Sequence, residues 1–308
     1  MRIFSGVPNI NFMAQRKAGL WVSTLLTVIC FLLLAFRGLN LGIDFTGGVL
    51  LEVAYPKTVE LDIVREDLHK AGYHKAVVQY VGGAQTVMIR LPPVKETNQA
   101  KLSGQILDSL KVHEPLVQLR KIEFVGPQVG EELTNQGSLA LLIAFLGIMV
   151  YIAFRFEWKF SVGAIAALFH DALMVLGFLS ATWVEFDLTT LAAILALIGY
   201  SNNETIVIFD RIRENLIASR DEILNVINLS VNQTLLRSII THMTTLLVCT
   251  ALYFLGGSTV HSFSVSMIVG VIVATYSSIY VSSGLAVVLG ISREDLLPPA
   301  KTEVDDSP

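Results

Sequence analysis

Apolar residues dominate six stretches of the chain, at positions 18–36, 138–156, 160–182, 188–209, 237–255 and 263–289. A hydrocarbon core about 30 Å thick takes about 20 apolar residues per helix, so each stretch predicts a membrane span. The first is too long for the apolar core of a signal peptide, about 7–15 residues. Arg37-Gly38-Leu39-Asn40 behind it lacks a small-x-small cleavage pattern, so it reads as an uncleaved helix.

Between the first two spans the pattern changes. Residues 37–137 predict a strand at 48–55, a helix at 59–71, a strand at 76–81, a turn at Gly82-Gly83-Ala84, a strand at 86–91, a helix at 97–112 and a strand at 117–125. Asp62, Glu66 and Lys70 form an (i, i+4) polar row on the first of these helices. The order β-α-β-β-α-β predicts a small α+β, ferredoxin-like domain. The expected fold is therefore a membrane all-α bundle of six transmembrane helices with this domain between helices 1 and 2. Its parts are an N-terminal segment 1–17, helix 1 at 18–36, the domain with flanking hinges at 37–137, helices 2–6 at 138–290 and a tail at 291–308.

Composition agrees with lipid as the solvent. Of 308 residues 53% are hydrophobic and 16% charged, and soluble domains carry about 25% charged residues. A net charge of −4 argues against nucleic acid as a partner. Cys30 and Cys249 lie in apolar runs and predict neither a bridge nor a metal site. Arg2, Arg16, Lys17, Arg155, Lys159, Arg211, Arg213, Arg220, Arg293 and Lys301 fall in the N-terminus, alternate loops and the tail, whereas the short loops 183–187 and 256–262 contain no Lys or Arg. The positive-inside rule then puts both termini in the cytoplasm and the domain outside. The domain carries no His/Cys/carboxylate cluster and no Ser-His-Asp arrangement, so a binding or gating module is expected and an enzyme is not.

Three motifs occur in order. Leu41-Gly42-Ile43-Asp44-Phe45-Thr46-Gly47-Gly48 follows the first helix, and Val125-Gly126-Pro127-Gln128-Val129-Gly130-Glu131-Glu132-Leu133 leads into the second. The fourth span ends Gly199-Tyr200-Ser201-Asn202-Asn203-Glu204-Thr205-Ile206-Val207-Ile208-Phe209-Asp210-Arg211-Ile212-Arg213-Glu214-Asn215. With Phe154-Arg155-Phe156-Glu157-Trp158 and His170-Asp171, these resemble the SecF family of protein-export membrane subunits, whose patterns are G-(I/L)-D-F-T-G-G, V-G-P-x-V-G and G-Y-S-x-N-D-T-x-V-x-x-D-R-I-R-E. The chain departs from them at Glu204, where the family has Asp, and at Asn202, where it has an apolar residue.

The resemblance implies half of a transporter of the resistance-nodulation-division type in the bacterial inner membrane, with SecD supplying six further helices. It implies a periplasmic α+β domain, a place beside the SecYEG channel and work on a translocating preprotein. Membrane lipid surrounds it and YajC is a further candidate partner. It implies no cofactor beyond a coupling ion, H+ or Na+. Two rivals are a half-transporter exporting a small molecule or lipid, and a scaffold that draws on no gradient.

Charges inside lipid cost about 2.5–3.5 kcal/mol each and are functional candidates by default. Glu204, sixteen residues into its span and below Asn202 and Asn203, can reach the depth of Arg237 at the start of the fifth. From Arg237, residues Thr241, Thr244 and Thr245 continue one polar face. One reading is a carboxylate–guanidinium pair that handles the coupling ion, supported by a family arginine on that helix. The other is a snorkelling arginine above threonines bonded to their own backbone. His242, roughly 140° round from Arg237, falls outside the expected site. Asp171 reads as a relay or as an interhelical hydrogen bond, and His170 as a packed core histidine. Gly270, Ala274, Ser278, Ser282, Ala286 and Gly290 form a ridge of small residues, either a docking face for SecD or internal packing. Asp44, Phe45, Thr46, Gly47 and Gly48 lack the Gly-Lys-Ser/Thr of a phosphate loop and predict a hinge. Gly126, Pro127 and Gly130 predict the return hinge.

Overall fold

The computed structural model describes residues 8–93 and 99–296. Arg2, Lys301 and the expected helix start at Thr97 lie outside the described residues. After a 3-10 turn (Met13–Gln15), α1 (Arg16–Phe36) leads through a two-residue strand β1 (Asn40–Leu41) and a single helical turn α2 (Ile43–Thr46) into the α+β domain. That domain contains β2 (Gly48–Ala54), α3 (Leu61–Lys70), β3 (Val77–Tyr80), β4 (Thr86–Leu91), α4 (Gln99–Leu110) and β5 (Gln118–Val125). The remaining helices are α5 (Pro127–Arg155), α6 (Trp158–Thr182), α7 (Leu188–Ala218), α8 (Ile223–Leu255) and α9 (His261–Ser277). A short strand β6 (Glu185–Phe186) separates α6 from α7, and α9 continues through a π-helical turn (Ser278–Ser282) into α10 (Ser283–Val288). Among the described residues six helical segments are long and apolar enough to cross a membrane.

The domain's sheet has the order β3-β4-β2-β5, antiparallel throughout. Strand side chains alternate between faces, so Val49, Leu51 and Val53 of the central strand point one way. They pack with Val64, Leu68, Leu102 and Ile106 of α3 and α4, all fully or almost fully buried. The opposite face, with Leu50 and Glu52, looks at the membrane bundle across a cavity of about 920 Å3.

Within the bundle α6, α7 and the α9–α10 segment are central. Their apolar windows are 61%, 44% and 56% buried, against 17%, 11% and 17% for α1, α5 and α8. The small-residue ridge explains how helices meet at the centre. Gly270, Ala274, Ser278, Ser282 and Ala286 are all buried. A Cβ on Gly163 of α6 would lie 2.6 Å from the Ser282 carbonyl oxygen, and one on Gly270 would collide with Leu197 of α7. The docking-face reading of the ridge is thereby corrected: it is consumed by packing within the chain, and only exposed Gly290 lies off it, closing α10 with φ +72°.

Three helices outrun their apolar windows. α5 starts at Pro127, which suits the first helical position because its missing N–H needs no partner there. Gly130, expected in a hinge, is inside that helix. α7 continues past position 209 and α8 begins well before 237, because Ile212 and Leu216 pack with Val226, Ile227 and Val231 in a helical hairpin outside the apolar windows.

Candidate functional site

The glycine motif forms a clasp between the domain and the bundle. Asp44 Oδ2 accepts the Leu188 N–H at 2.9 Å and Asp187 Oδ1 accepts that of Thr190 at 2.7 Å, so two carboxylates cap the N-terminus of α7, where unpaired N–H groups favour negative charge. Phe45 packs on Phe186 with ring centroids 5.4 Å apart. Gly47 takes φ +67° and Gly48 φ +133°, and a Cβ on Gly48 would collide with the Leu91 carbonyl. A Cβ on Gly130 would stand 2.8 Å from the Gly47 nitrogen. Thr46 and Thr134 close the contact, the first bonding to the Gly42 carbonyl and the second to that of Phe45. The two glycine patterns expected as separate hinges are thus packed backbone to backbone.

Beside the clasp, β1 and β6 pair in parallel, and Arg90 of β4 ties them to the domain. Its guanidinium donates to the Leu41 carbonyl, to Asn40 Oδ1 and to Glu185 at 3.2 Å. Burial pushes the Glu185 carboxyl above its ordinary value, opposed by Arg90. Burial likewise raises Asp44, against the lowering effect of the Leu188 N–H. Both carboxylates line the cavity beneath the sheet, together with Glu52, Glu123 and Asp187. Neither Arg90 nor Glu185 stands out in the sequence, since each is an ordinary charge in a strand or loop until the fold joins them.

Deeper in the bundle, Asp171 is 1% exposed. Its Oδ2 accepts hydrogen bonds from Ser201 of α7 at 2.5 Å and Ser277 of α9 at 2.8 Å, and its Oδ1 lies 3.1 Å from His170 Nδ1. One side chain therefore joins α6, α7 and α9. The ring of His170 lies near Tyr276, and its Nε2 has no hydrogen-bond partner.

Glu204, one helical turn beyond Ser201, is also buried. Its Oε1 accepts a hydrogen bond from Ser238 of α8, and its Oε2 lies 3.8 Å from Nε2 of His242. The expected pairing with Arg237 does not form. Arg237 is exposed, and among the described residues its guanidinium has no hydrogen bond or ion pair. The reason is rotational. Each helical residue turns about 100°, which puts Ser238 and His242 within about 40° of each other and leaves Arg237 about 100° from Ser238. Val231, Ser238, His242 and Cys249 form the buried stripe of α8, while Arg237, Thr241 and Thr244 face outward. Thr241, Thr244 and Thr245 donate to backbone carbonyls of their own helix, and Thr245 also approaches the Tyr200 hydroxyl at 3.4 Å. Asn203 is exposed, and Asn202 keeps an unpartnered, buried Oδ1. Sequence reasoning missed Ser238 and His242; their i, i+4 spacing on one face was the available signal.

Among the described residues no group of three or more His, Cys, Asp or Glu side chains is arranged to hold a metal ion. Six apolar helices around intramembrane carboxylates, under an α+β domain clasped to their ends, define a multi-pass helical membrane protein. Residues 105–292 match the family "Protein export membrane protein SecD/SecF, C-terminal", and residues 32–59 match the "SecD/SecF GG Motif". The protein translocase subunit SecF of Pseudomonas aeruginosa is 46% identical over 98% of this chain and 99% of its own length. That of Vibrio alginolyticus is 43% identical over 97% and 95%. The crystal structure of SecDF from Thermus thermophilus, a translocon-associated membrane protein, superposes with a TM-score of 0.84 at 36% identity. It matches 93% of this chain, which spans 39% of that longer chain. A super-membrane-facing form of SecDF gives a TM-score of 0.67. The chain belongs to the SecF family of protein translocase subunits, accessory subunits of Sec protein export.

Proposed function

We propose that this chain, together with SecD, draws on the proton- or sodium-motive force to promote preprotein translocation through the SecYEG channel. The observation that carries the reading is Glu204, a carboxylate buried at membrane depth with a donor on one oxygen only. Such a group changes charge when an ion arrives, and a charge change inside a packed bundle biases one helix arrangement over another. The chain acts in this reading without bond-making chemistry and with no cofactor other than the coupling ion. Export is the family's work, which disfavours small-molecule or lipid transport.

The α+β domain is the ferredoxin-like periplasmic domain, a reading supported by its antiparallel order β3-β4-β2-β5. Its contacts support the orientation. It touches the bundle through Arg90–Glu185, Ser258–Glu52 and Lys121–Thr259, at the two loops that contain no Lys or Arg. Both termini are then cytoplasmic. SecD covers the outward faces of α1, α5 and α8, with Arg237 among them, because an unpaired guanidinium in lipid is costly. YajC, lipid and direct preprotein contact belong to the same picture.

Glu204→Gln keeps size and hydrogen bonding and removes the charge. Export by cells or inverted vesicles at matched levels of SecD should fall about tenfold or more, the size of an ordinary coupling free energy between sites. Wild-type export would hand the case to a scaffold that draws on no gradient. For orientation, a cysteine replacing Thr259 should react with an impermeant thiol reagent in intact cells, and one replacing Asp221 should not.

A further inference from the structure

We infer that Glu204 and His242 form one proton-binding pair, with Nε2 of His242 as the second seat of the proton, so that the ion taken here is H+ rather than a metal cation. The inference deepens the reading above and rests on it only for the link to export.

The tautomer of His242 is assigned from its neighbour on α9, whose hydroxyl oxygen lies 2.8 Å from both the Val271 carbonyl and His242 Nδ1. Thr275 donates its single hydroxyl hydrogen to the Val271 carbonyl at 2.8 Å, one turn back on its own helix. Toward His242 Nδ1, 2.8 Å away, the same oxygen can then only accept. With the Thr275 hydrogen placed on the Val271 carbonyl, Nδ1 carries the imidazole hydrogen, and in a neutral ring that leaves Nε2 bare. This bare nitrogen is buried and unpartnered, and it faces Glu204 Oε2 at 3.8 Å. Ser238 reaches Oε1, and among the described residues no hydrogen bond reaches Oε2. Two lone pairs thus face each other in a buried interior, where an unsatisfied polar atom is costly. One added proton satisfies both, whether it rests on oxygen as O–H···N or on nitrogen as N–H···O. Charge-assisted contacts of this kind close to about 2.7–2.9 Å, which a small side-chain rotation supplies.

The surroundings offer little to a metal ion. Hard cations collect about six oxygens, whereas among the described residues the side chains bonded or paired to Glu204 are one serine hydroxyl and one imidazole. The Tyr200 ring lies against His242 with centroids 5.4 Å apart. The groups facing His242 are Glu204 and the Tyr200 ring from α7 and the Thr275 hydroxyl from α9. On α8 itself the nearest charge is Arg237, which points outward; the Met13–Gln15 turn packed on α8 has no titratable side chain. Asp171 and His170 of α6 are engaged with Ser201 and Ser277.

The test is infrared difference spectroscopy of the chain with SecD in lipid nanodiscs, following the protonated-carboxyl band that disappears in Glu204→Gln. His242→Gln should move the pH midpoint of that band by about one unit or more. Thr275→Val, which removes the acceptor that fixes the tautomer, should move it too. Added sodium chloride should leave it in place relative to potassium chloride. An unchanged midpoint in both variants, with co-purification of SecD intact, would overturn the pair. Displacement of the band by sodium would overturn the choice of ion. Normal export by Glu204→Gln would remove the coupling reading alone and leave the protonation result standing, so the two failures are distinguishable.

Discussion

Asp171 on α6 bonds to Ser201, one turn before Glu204 on α7, and the number of hydrogens aimed at the two acids differs. Asp171 receives two serine hydroxyls and faces a histidine nitrogen, from its own helix and two others. Glu204 receives one serine and looks across 3.8 Å at a histidine nitrogen that has no hydrogen-bond partner. A carboxylate met by donors from three helices holds those helices together. One left a hydrogen short can change state. Burial is similar at the two sites, so the donor count separates a structural acid from a responsive one.

The contrast breaks most easily at Asp171. Asp171→Leu leaves Ser201 and His170 without their acceptor and Ser277 with only the Ala274 carbonyl, and the purified chain should lose about 3 kcal/mol or more, read from its thermal or denaturant transition. Glu204→Leu should cost clearly less than that. Equal losses would erase the distinction. A double-mutant cycle sharpens it further: Glu204 and Ser238 should couple by about 1–2 kcal/mol, and Glu204 and Arg237 by less than about 0.5 kcal/mol in the chain without SecD. A strong second coupling would restore the ion pair that the rotation of α8 disfavours.

The smallest effect concerns a third carboxylate, Glu185, which has a cation beside it and is nonetheless held above its ordinary value by burial. The folded state binds this proton more tightly than the unfolded chain. Its stabilising contribution is therefore fully present below the ordinary carboxylate value and is lost as pH rises through the raised one. Glu185→Gln, a mimic of the protonated form, should match wild type at low pH and hold the β1–β6 junction slightly more firmly at neutral pH. Hydrogen exchange at Leu41 and Phe186 reads the difference.

Much of this architecture is legible from residue patterns, because lipid imposes composition. Six apolar windows mark the spans, and β4 occupies the expected positions 86–91. Gly48 and Gly130 announce close backbone approach, although only the fold shows that the first meets Leu91 of β4 and the second meets Gly47 and Phe45. The inward face of α8 is harder. Arg237-Thr241-Thr244 and Ser238-His242 are both polar stripes at helical spacing, so periodicity cannot choose between them. The choice falls to Glu204 on α7 and Thr275 on α9, which are distant in sequence. The helix extensions were hidden for a related reason: the 212–231 hairpin is amphipathic rather than apolar, so a hydropathy window passes over it.

The π-helical turn at Ser278–Ser282 has a consequence for timing along the sixth span. Ser282 and Ser283 both donate to the Ser278 carbonyl, and the turn takes up extra chain, so the helix after it is out of phase with the helix before it. Thr275 and Ser277, which touch the two acid sites, lie before this slip. Ser282 and Gly284, which bear on Gly163 and Leu20, lie at or beyond it. A rotation at the acids need not be copied to the far end in full. The sixth span is in this sense two short gears on one shaft, with the π turn as the clutch between them.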